Sequence, residues 1–463
     1  MSRTETVHSP FDGRVVGEVA VASVADAEIA ISQAAKAFES WRRTPANIRA
    51  TILMKAAQLA DERSEAIAQI ISAENGKSLV EARGEASRSG EIIRLAAFEG
   101  SQLYGHTLPL DANKGTGLEK LGFTLRQPVG VVVAISPFNY PALLVLHKIA
   151  PALAVGNSVV LKPARTTPLT ALALAQCFYD AGLPEGVLQV ITGSGATLGD
   201  ALVMDSRVRK VSFTGSTATG THIASVAGVK KLSLELGSSC PVVVLDDADI
   251  EYAANAVALG GYINAGQVCI SVQRVIVHEK VMADFIAALK PKVEAIVVGD
   301  PSAESTKVGT LISEAEALRV ESSIAQAIND GAKLITGGER TGTIISPAII
   351  TEVNPLASIA QDELFGPAVA ISSATSATEA IALANNTAYG LGAGIFTKNT
   401  DFAIQAAREI DAGIIHINWT PLWRADLMPY GGLKSSGVGK EGVRSTVEEM
   451  TEEKTIILHG RPW

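Results

Sequence analysis

The sequence predicts an α/β protein of more than one domain, and three observations lead to that prediction. The chain has 463 residues, more than a single hydrophobic core usually accommodates. Its composition, 47% hydrophobic and 19% charged, is typical of a compact globular protein. From residue 129 onward, short β-rich runs alternate with helical segments, as in βαβ units packed around a parallel sheet.

The region before residue 100 is predicted to be mostly helical. Ser23 and Asp26 form the capping-box pattern that opens a helix, and apolar residues follow at helical spacing as far as Trp41. Thr44-Pro45 opens a second, longer helix. The side of this helix that is expected to face the core carries Ile48, Ile52, Leu53, Ala56 and Leu59.

Five β-rich runs predict a first sheet of the dinucleotide-binding type. They are residues 131–135, 158–161, 187–191, 210–213 and 232–234. The ligand of such a sheet lies across the carboxyl ends of its strands. A second α/β pattern predicts a separate domain, and its runs are residues 272–278, 344–350, 368–372, 392–396 and 413–418.

Two further segments fit neither sheet and have the pattern of isolated strands. They are residues 120–127 and 453–459. We expect them to pair with one another and to leave an edge free, which invites association with another subunit.

Charge and cysteine content narrow the possible partners. A net charge of −9 and the lack of a Lys/Arg block argue against nucleic-acid binding. Cys177, Cys240 and Cys269 are an odd and sparse set, so no disulfide framework is implied and a reducing cytoplasm is expected.

One uncharged stretch has the length of a membrane span but not its continuity. Residues 127–146 carry no charged side chain, and this stretch is long enough to cross a bilayer. Pro128, Pro137, Asn139 and Pro141 interrupt it, so a buried strand, a turn and a helix fit better. The polar residues 1–10 contain no apolar signal-peptide core. The expectation is a soluble protein without a membrane partner.

Cys269 and Glu235 point most directly to chemistry. Cys269 follows a Gly-Gln turn, and Glu235 ends a strand-like run, where a carboxylate is rarely buried unpaired. A thiolate can add to an electrophilic carbon, and a carboxylate can then activate the water that releases the covalent intermediate. Taken alone, a free cysteine is more often a small buried hydrophobic residue.

Other residues at the ends of predicted strands suit an anionic cofactor. Gly215 and Ser216 open a helix, whose free N–H groups favour a diphosphate. Lys162 and Arg165 follow another strand and suit a phosphate or a ribose. Asn139 follows the first strand, where its amide can donate to an oxyanion. Taken alone, these residues also fit a plain helix cap, a solvated loop pair and a turn asparagine.

Together the residues resemble the NAD(P)-dependent aldehyde dehydrogenases, over essentially the whole chain and in the order of that family. The segments that carry the resemblance are Pro137-Phe138-Asn139-Tyr140-Pro141, Lys162, Gly215-Ser216-Thr217, Glu235-Leu236-Gly237, Gly266-Gln267-Val268-Cys269, Glu363-Leu364-Phe365-Gly366-Pro367 and the run 429–437. The subgroup it looks most like contains lactaldehyde, non-phosphorylating glyceraldehyde-3-phosphate and semialdehyde dehydrogenases.

The resemblance implies an aldehyde dehydrogenase-like α/β fold, with a Rossmann-type cofactor domain, an α/β catalytic domain and a small oligomerisation β-flap. The implied bounds are 1–112 and 129–236 for the cofactor domain, 237–440 for the catalytic domain, and 113–128 and 449–463 for the oligomerisation segment. A homodimer or homotetramer is therefore expected.

It also implies roles for individual residues. Cys269 would form a thiohemiacetal and then a thioester, Asn139 would hold the oxyanion, and Glu235 would activate water, without a metal. The residues implied at the cofactor are Ser136, Phe138, Lys162, Arg165, Gly195, Gly215, Ser216, Glu363 and Phe365. Those implied at the substrate are His147, Trp423, Arg424 and Tyr430.

Departures from the family pattern refine these expectations. Many relatives have a glutamate where this chain has Arg165, and an arginine there can bind a 2′-phosphate, so NADP is favoured over NAD. The alternative is that Arg165 points to solvent. His147 stands where succinate semialdehyde dehydrogenases commonly have arginine, which favours a small, polar or anionic aldehyde. Arg424 would anchor an anionic tail, unless it forms a salt bridge with Asp426 or another carboxylate.

Two other functions stay open at this point. A CoA-acylating semialdehyde dehydrogenase would share Cys269, although such relatives generally lack the general-base glutamate. A nucleotide-binding scaffold that has lost its chemistry would usually lack the thiol or its partners.

Overall fold

The computed structural model describes residues 3–460. Its helices are α1 (Val24–Trp41), α2 (Ala46–Glu62), α3 (Ser64–Asn75), α4 (Leu79–Ala86), α5 (Ser89–Ser101), α6 (Leu143–Ala154), α7 (Pro168–Asp180), α8 (Gly195–Met204), α9 (Thr217–Val226), α10 (Ile250–Gly260), α11 (Met282–Glu294), α12 (Glu314–Asn329), α13 (Ser358–Gln361), α14 (Ala377–Asn385), α15 (Thr400–Glu409) and α16 (Val443–Glu449). None of these helices is long and apolar enough to cross a membrane.

The strands of residues 3–460 belong to two large sheets and four small ones. In chain order they are β1 (Thr4–His8), β2 (Val15–Ala20), β3 (Thr107–Leu108), β4 (Lys120–Pro128), β5 (Val131–Ile135), β6 (Ser158–Lys162), β7 (Leu188–Val190), β8 (Val208–Thr214), β9 (Lys231–Glu235), β10 (Pro241–Val244), β11 (Arg274–His278), β12 (Lys333–Thr336), β13 (Arg340–Thr341), β14 (Ile344–Ile345), β15 (Ala348–Thr351), β16 (Ala368–Ala374), β17 (Tyr389–Gly390), β18 (Gly392–Phe396), β19 (Ile414–Ile417), β20 (Leu433–Lys434), β21 (Gly437–Val438) and β22 (Thr451–His459).

The first large sheet has the order β21-β9-β8-β5-β6-β7. Strands β5 to β9 pair in parallel, and β21 joins β9 antiparallel. All five runs predicted for this sheet are therefore strands of it, which confirms the prediction of a parallel sheet of the dinucleotide-binding type. The carboxyl ends of β5, β6, β8 and β9 lie at one edge, where a dinucleotide binds in such sheets.

The second large sheet has the order β12-β15-β16-β11-β10-β18-β19, and only β12 in it runs antiparallel among the described residues. The sequence analysis missed its strand β10, whose short run begins with Pro241. The predicted strand 344–350 was wrong as one element, because Pro347 separates β14 from β15 and removes a ladder donor.

The small sheet of β22, β4 and β3 contains both isolated segments predicted from sequence. β22 pairs with β4 along its full length, from Thr451 opposite Pro128 to His459 opposite Lys120. β3 occupies the other side of β4, so β22 is an edge strand. The pairing of the two segments is confirmed. The implied domain bounds stay a prediction, and their residues 1–2 and 461–463 lie outside the described part.

Helix α1 packs against strands of the first sheet, whereas α2 and α5 pack against one another and against α6. The capping box at Ser23 and Asp26 is present at the start of α1. The prediction for Ile48 was wrong, because its side chain is 47% exposed and Arg49 is buried instead. The guanidinium of Arg49 donates to the carbonyl of Ala154 at 2.9 Å, which satisfies its charge inside the core. The hairpin of β1 and β2 was also missed.

Candidate active site

Cys269 lies in a loop between a short 3-10 turn, Ile263–Gly266, and β11. The loop is tightly held, since a Cβ at Gly266 would lie only 2.1 Å from the carbonyl oxygen of Gly366. The φ of Gly266 is +72°, a conformation that favours glycine. The Sγ atom is 2.9 Å from the hydroxyl oxygen of Tyr430. Burial raises the pKa of the thiol to about 12, so the free side chain is a neutral thiol and needs a base before it can attack.

Asn139 lies in the loop between β5 and α6 and is buried against the Cys269 loop. Its Nδ2 donates to the carbonyl of Gln267 at 2.8 Å. An amide has two N–H groups, so this bond leaves one for an oxyanion formed at Cys269.

Glu235 is the last residue of β9 and is almost fully buried. Neither of its carboxyl oxygens has a hydrogen-bond partner among the described residues. Burial, and after it repulsion from Glu441, raises the pKa of Glu235 well above its usual range. The carboxyl also lies close to Gly431, where a Cβ would be 2.8 Å from its Oε1 atom. A buried, unpaired carboxyl of this kind suits a proton-transfer role.

Glu441 is a second buried carboxylate behind Glu235, and the sequence analysis did not identify it. Its Oε1 lies 3.1 Å from Lys148 Nζ, and its Oε2 lies 3.3 Å from both terminal nitrogens of Arg424. Burial alone would raise the pKa of Glu441, but attraction to Lys148 and Arg424 outweighs it and lowers that pKa to about 2. Glu441 is thus the fixed charge and Glu235 the titratable group. No local pattern marks Glu441, because its partners come from α6 and from a distant loop.

The predicted catalytic residues Cys269, Asn139 and Glu235 line one cavity. The predicted cofactor residues on the same cavity are Phe138, Gly215, Ser216, Glu363 and Phe365. Glu316 and Arg319, which the sequence analysis did not select, also line it. A second cavity continues past Gly215 and Ser216 to Lys162 and Gly195. The nucleophile loop is therefore joined to the carboxyl edge of the first sheet by a continuous cleft.

The shape of this cleft fits a dinucleotide. Nothing lies within 4 Å of a Cβ built at Gly195 or Gly199, so the first turns of α8 are open to a ligand. Ser216 caps α9, and its side chain accepts from the N–H of Thr219. Two helix amino termini thus face the same cavity, an arrangement that favours a diphosphate.

Glu363 and Phe365 border the cleft near Cys269. Glu363 accepts from the N–H of Ser238 at 3.0 Å, and burial raises its pKa to about 7. The rings of Phe138 and Phe365 meet edge to face, with centroids 5.9 Å apart. Ser136 is buried beside Lys162, to whose carbonyl its N–H donates at 3.2 Å, but it does not line either cavity.

The two predicted phosphate-binding cations differ in their surroundings. Lys162 is buried in the cleft, where burial lowers its pKa to about 8 and its Nζ donates to the carbonyl of Pro163. The side chain of Arg165 is 61% exposed and forms an ion pair with Glu5 of the β1–β2 hairpin. Arg165 does not line the cavity that contains Lys162.

A third cavity, the funnel, opens on the other side of Cys269. Of the predicted substrate residues, His147, Arg424 and Tyr430 line it, whereas Trp423 does not and is 57% exposed. Arg88 also lines it and was missed. Since α5, β3, β4 and β5 lie between Arg88 and Asn139 in the chain, nothing local in the sequence connects the two.

The charged side chains that line the funnel are paired with carboxylates of neighbouring residues. Arg88 lies 2.5 Å from Asp426, and His147 Nε2 lies 3.3 Å from the same carboxylate oxygen. Arg424 is stacked 4.0 Å from the ring of Tyr430 while it pairs with Glu441. The salt-bridge alternative for Arg424 is therefore present, with Glu441 rather than Asp426 as the partner.

Comparison with known proteins gives a consistent result. The family model "Aldehyde dehydrogenase family" matches residues 1–456. A 3-sulfolactaldehyde dehydrogenase of Priestia aryabhattai is 45% identical, over 98% of this chain and 94% of that protein. A lactaldehyde dehydrogenase of Methanococcus maripaludis is 38% identical, over 98% and 97%. The crystal structure of glyceraldehyde-3-phosphate dehydrogenase GapN from Methanocaldococcus jannaschii, complexed with NADP, superposes with a TM-score of 0.95 at 38% identity, covering 99% of this chain and 100% of that one.

Proposed function

The chain belongs to the aldehyde dehydrogenase family, and we propose that it oxidises a small aldehyde with an anionic tail to the carboxylate, using NADP or NAD. The observation that carries the proposal is the position of Cys269, between the cleft that fits a dinucleotide and a funnel that contains two arginines. The relatives named for 3-sulfolactaldehyde and lactaldehyde support a small polar substrate.

In the proposed reaction Cys269, once deprotonated, adds to the aldehyde carbon. The free N–H of the Asn139 amide and the backbone N–H of Cys269 stabilise the oxyanion. A bound nicotinamide dinucleotide supplies the hydride acceptor. Loss of hydride from the tetrahedral carbon leaves a thioester on Cys269, and Glu235 removes a proton from the water that hydrolyses it.

The proposed cofactor contacts follow the two halves of the cleft. Lys162, Gly195, Gly215 and Ser216 would hold the adenosine and diphosphate end. Phe138, Glu363 and Phe365 would hold the nicotinamide end. Ser136 and Arg165 lie outside the cavity linings, so a direct role for either needs a side-chain movement. NADP is favoured over NAD through Arg165.

The proposed substrate contacts are made by Arg424, with Arg88 as a second cation. Both guanidinium groups already pair with carboxylates of the chain, so an anionic tail would share them with Asp426 and Glu441. His147 and Tyr430 complete the wall, and Trp423 would contact only the outer part of a longer substrate.

We also propose a homodimer or homotetramer in the cytoplasm, acting on neither nucleic acid nor membrane. The free edge of β22 carries the exposed apolar side chains Ile457 and Leu458, which suit a subunit contact. Light scattering on the eluting protein measures the assembly, and a monomer at micromolar concentration would contradict it.

The function is tested by following NAD(P)H absorbance with a panel of aldehydes. The panel contains 3-sulfolactaldehyde, lactaldehyde, glyceraldehyde 3-phosphate and succinate semialdehyde, each with NAD and with NADP and without coenzyme A. We expect turnover that is abolished in Cys269→Ala. Turnover that appears only with coenzyme A would favour an acylating enzyme instead, and no turnover under either condition would favour a scaffold.

A further inference from the structure

A buried ion pair lies behind the catalytic loops. Lys77 Nζ is 2.5 Å from Glu85 Oε2, and each side chain is only 1% exposed. Neither residue lines the funnel or the cleft. Removing two charges from water is unfavourable unless further polar contacts compensate. The other contacts of the pair therefore show what it holds in place.

Those contacts converge on Asn139. Lys77 Nζ donates to the backbone carbonyl of Asn139 at 2.9 Å and lies 3.7 Å from the ring centre of Tyr140. The second oxygen of Glu85 accepts from the N–H groups of Ala142, at 2.9 Å, and Leu143, at 3.2 Å. The ammonium thus fixes the backbone of Asn139, and the carboxylate fixes the start of α6 that follows it.

Helix α4, which contains Glu85, also holds the nucleophile loop. Glu81, one turn before Glu85 in α4, accepts from the N–H of Asn264 at 3.0 Å. Asn264 has a left-handed φ of +50°, a conformation that needs support from its surroundings in any residue but glycine. Its side chain donates to the Asn139 carbonyl at 3.1 Å. Both loops that would bind the oxyanion are therefore attached to one short helix.

We propose that Lys77, Glu81 and Glu85 are positioning residues that set the distance between the Asn139 amide and the Cys269 backbone N–H. The inference rests on the proposed function, since it assigns the two donors to one oxyanion. A small displacement of either donor weakens catalysis without weakening cofactor binding, because the cleft residues Lys162 and Glu363 are hydrogen-bonded to other partners, Pro163 and Ser238.

The test is the double variant Lys77→Met/Glu85→Gln. Both charges of the pair disappear together, so neither is left without its partner, and the new amide oxygen still accepts from Ala142 and Leu143. We expect kcat to fall on the order of 10²-fold, the effect of a displacement of about 1 Å. The dissociation constant of NAD(P) and the rate of Cys269 alkylation by iodoacetamide should stay unchanged.

A mutant cycle with Asn139→Ala separates positioning from a general loss of structure. If Lys77 and Glu85 act through Asn139, adding their substitutions to Asn139→Ala should lower kcat no further. Multiplicative losses would overturn the proposal, as would a double variant with wild-type kcat. If the wild-type protein is inactive, the proposed function fails. If the wild-type protein is active and the losses multiply, only the positioning proposal fails, so the two failures are distinguishable.

Two more variants protect the test against misfolding. Lys210→Met is the matched control, because Lys210 is also fully buried and paired, with Glu449 at 3.3 Å and Ser233 at 2.7 Å, but contacts neither loop. It should lower the unfolding temperature and leave kcat unchanged. Glu81→Ala alters no ion pair and should lower kcat about tenfold with unchanged cofactor affinity; wild-type kcat in this variant would contradict the role of α4.

Discussion

The funnel and the dinucleotide cleft meet at Cys269 but differ in how they are built. Arg424 and Arg88 line the funnel, and each is neutralised by a carboxylate that does not line it, Glu441 for Arg424 and Asp426 for Arg88. The cleft is lined by glycines, by two helix amino termini and by charged side chains, of which Lys162 donates to a backbone carbonyl and Glu235 has no hydrogen-bond partner within residues 3–460. Because Arg424 shares Glu441 with Lys148, and Arg88 shares Asp426 with His147, a substitution at either arginine changes the environment of several groups at once.

The difference is clearest in two buried carboxyl groups. Glu441, which faces two cations, has its pKa lowered to about 2, whereas Glu235, which has no hydrogen-bond partner among the residues that the structure describes, has its pKa raised well above the usual range. Part of the rise comes from the charge on Glu441. The funnel thus contributes to the proton affinity of the proposed base, although the base itself faces the cleft.

The largest effect is expected from Glu235→Gln. Without a carboxylate to activate water, the thioester on Cys269 should persist, so kcat should fall by roughly 10²–10⁴-fold. Mixing enzyme with aldehyde and NAD(P) should still give a fast burst of NAD(P)H, close to one equivalent per subunit. Cys269→Ala is the control and should give no burst. A Glu235→Gln variant without a burst would place Glu235 in an earlier step.

The next effect concerns pH and tests the coupling between the two regions. Glu235 must be ionised to activate water, so kcat limited by this step should rise with pH through the raised pKa. Glu441→Gln removes a repelling charge and leaves Lys148 and Arg424 to attract the Glu235 carboxylate, so the pKa of Glu235 falls. The acid side of the kcat profile should then move to lower pH. An unmoved profile would show that the groups are not coupled.

Arg424→Met should have a smaller effect, confined to anionic aldehydes. A hydrogen bond to a charged group contributes about 1.5–3 kcal/mol, which corresponds to roughly a 10- to 100-fold loss of kcat/KM. Propanal serves as the control substrate, because changes in Glu441 and Glu235 affect it equally. Arg88→Met should show a weaker loss, since Arg88 is more exposed than Arg424. Equal losses for propanal and an anionic aldehyde would remove Arg424 from tail recognition.

How much of the fold the sequence predicts depends on how far apart in the chain the interacting residues lie. Strands β5, β6 and β8 are short buried runs bounded by turn residues, and the cap of α1 lies within a few residues, so local sequence was sufficient. β10 was missed because it is only four residues long and begins with Pro241. The order of the strands in the second sheet therefore depends on which strands pair with one another, and the local sequence pattern does not identify those partners.

The same reasoning applies to the candidate site. Cys269, Glu235 and Asn139 each follow a strand or a turn, and their residue types alone suggest chemistry. Glu441 gains its significance only from Lys148 and Arg424, and no sequence pattern links it to either. The position of Arg165 after β6 was evident, but its partner Glu5 belongs to a hairpin that was not predicted. Pairing across the chain is thus the information that the sequence did not provide.

The smallest predicted effect tests the role of Arg165 in the cleft. Its ion pair with Glu5 is exposed, and such pairs contribute only about 0–1 kcal/mol, so a 2′-phosphate can compete for the guanidinium. Arg165→Gln should raise KM for NADP by less than about tenfold and leave KM for NAD unchanged, whereas Glu5→Gln should lower KM for NADP. The two variants are informative because their expected effects on KM for NADP have opposite signs. Damage to the hairpin would instead raise KM for NADP in both variants. If Arg165→Gln changes neither KM, Arg165 is a solvent-facing residue and any preference for NADP has its origin in the buried Lys162.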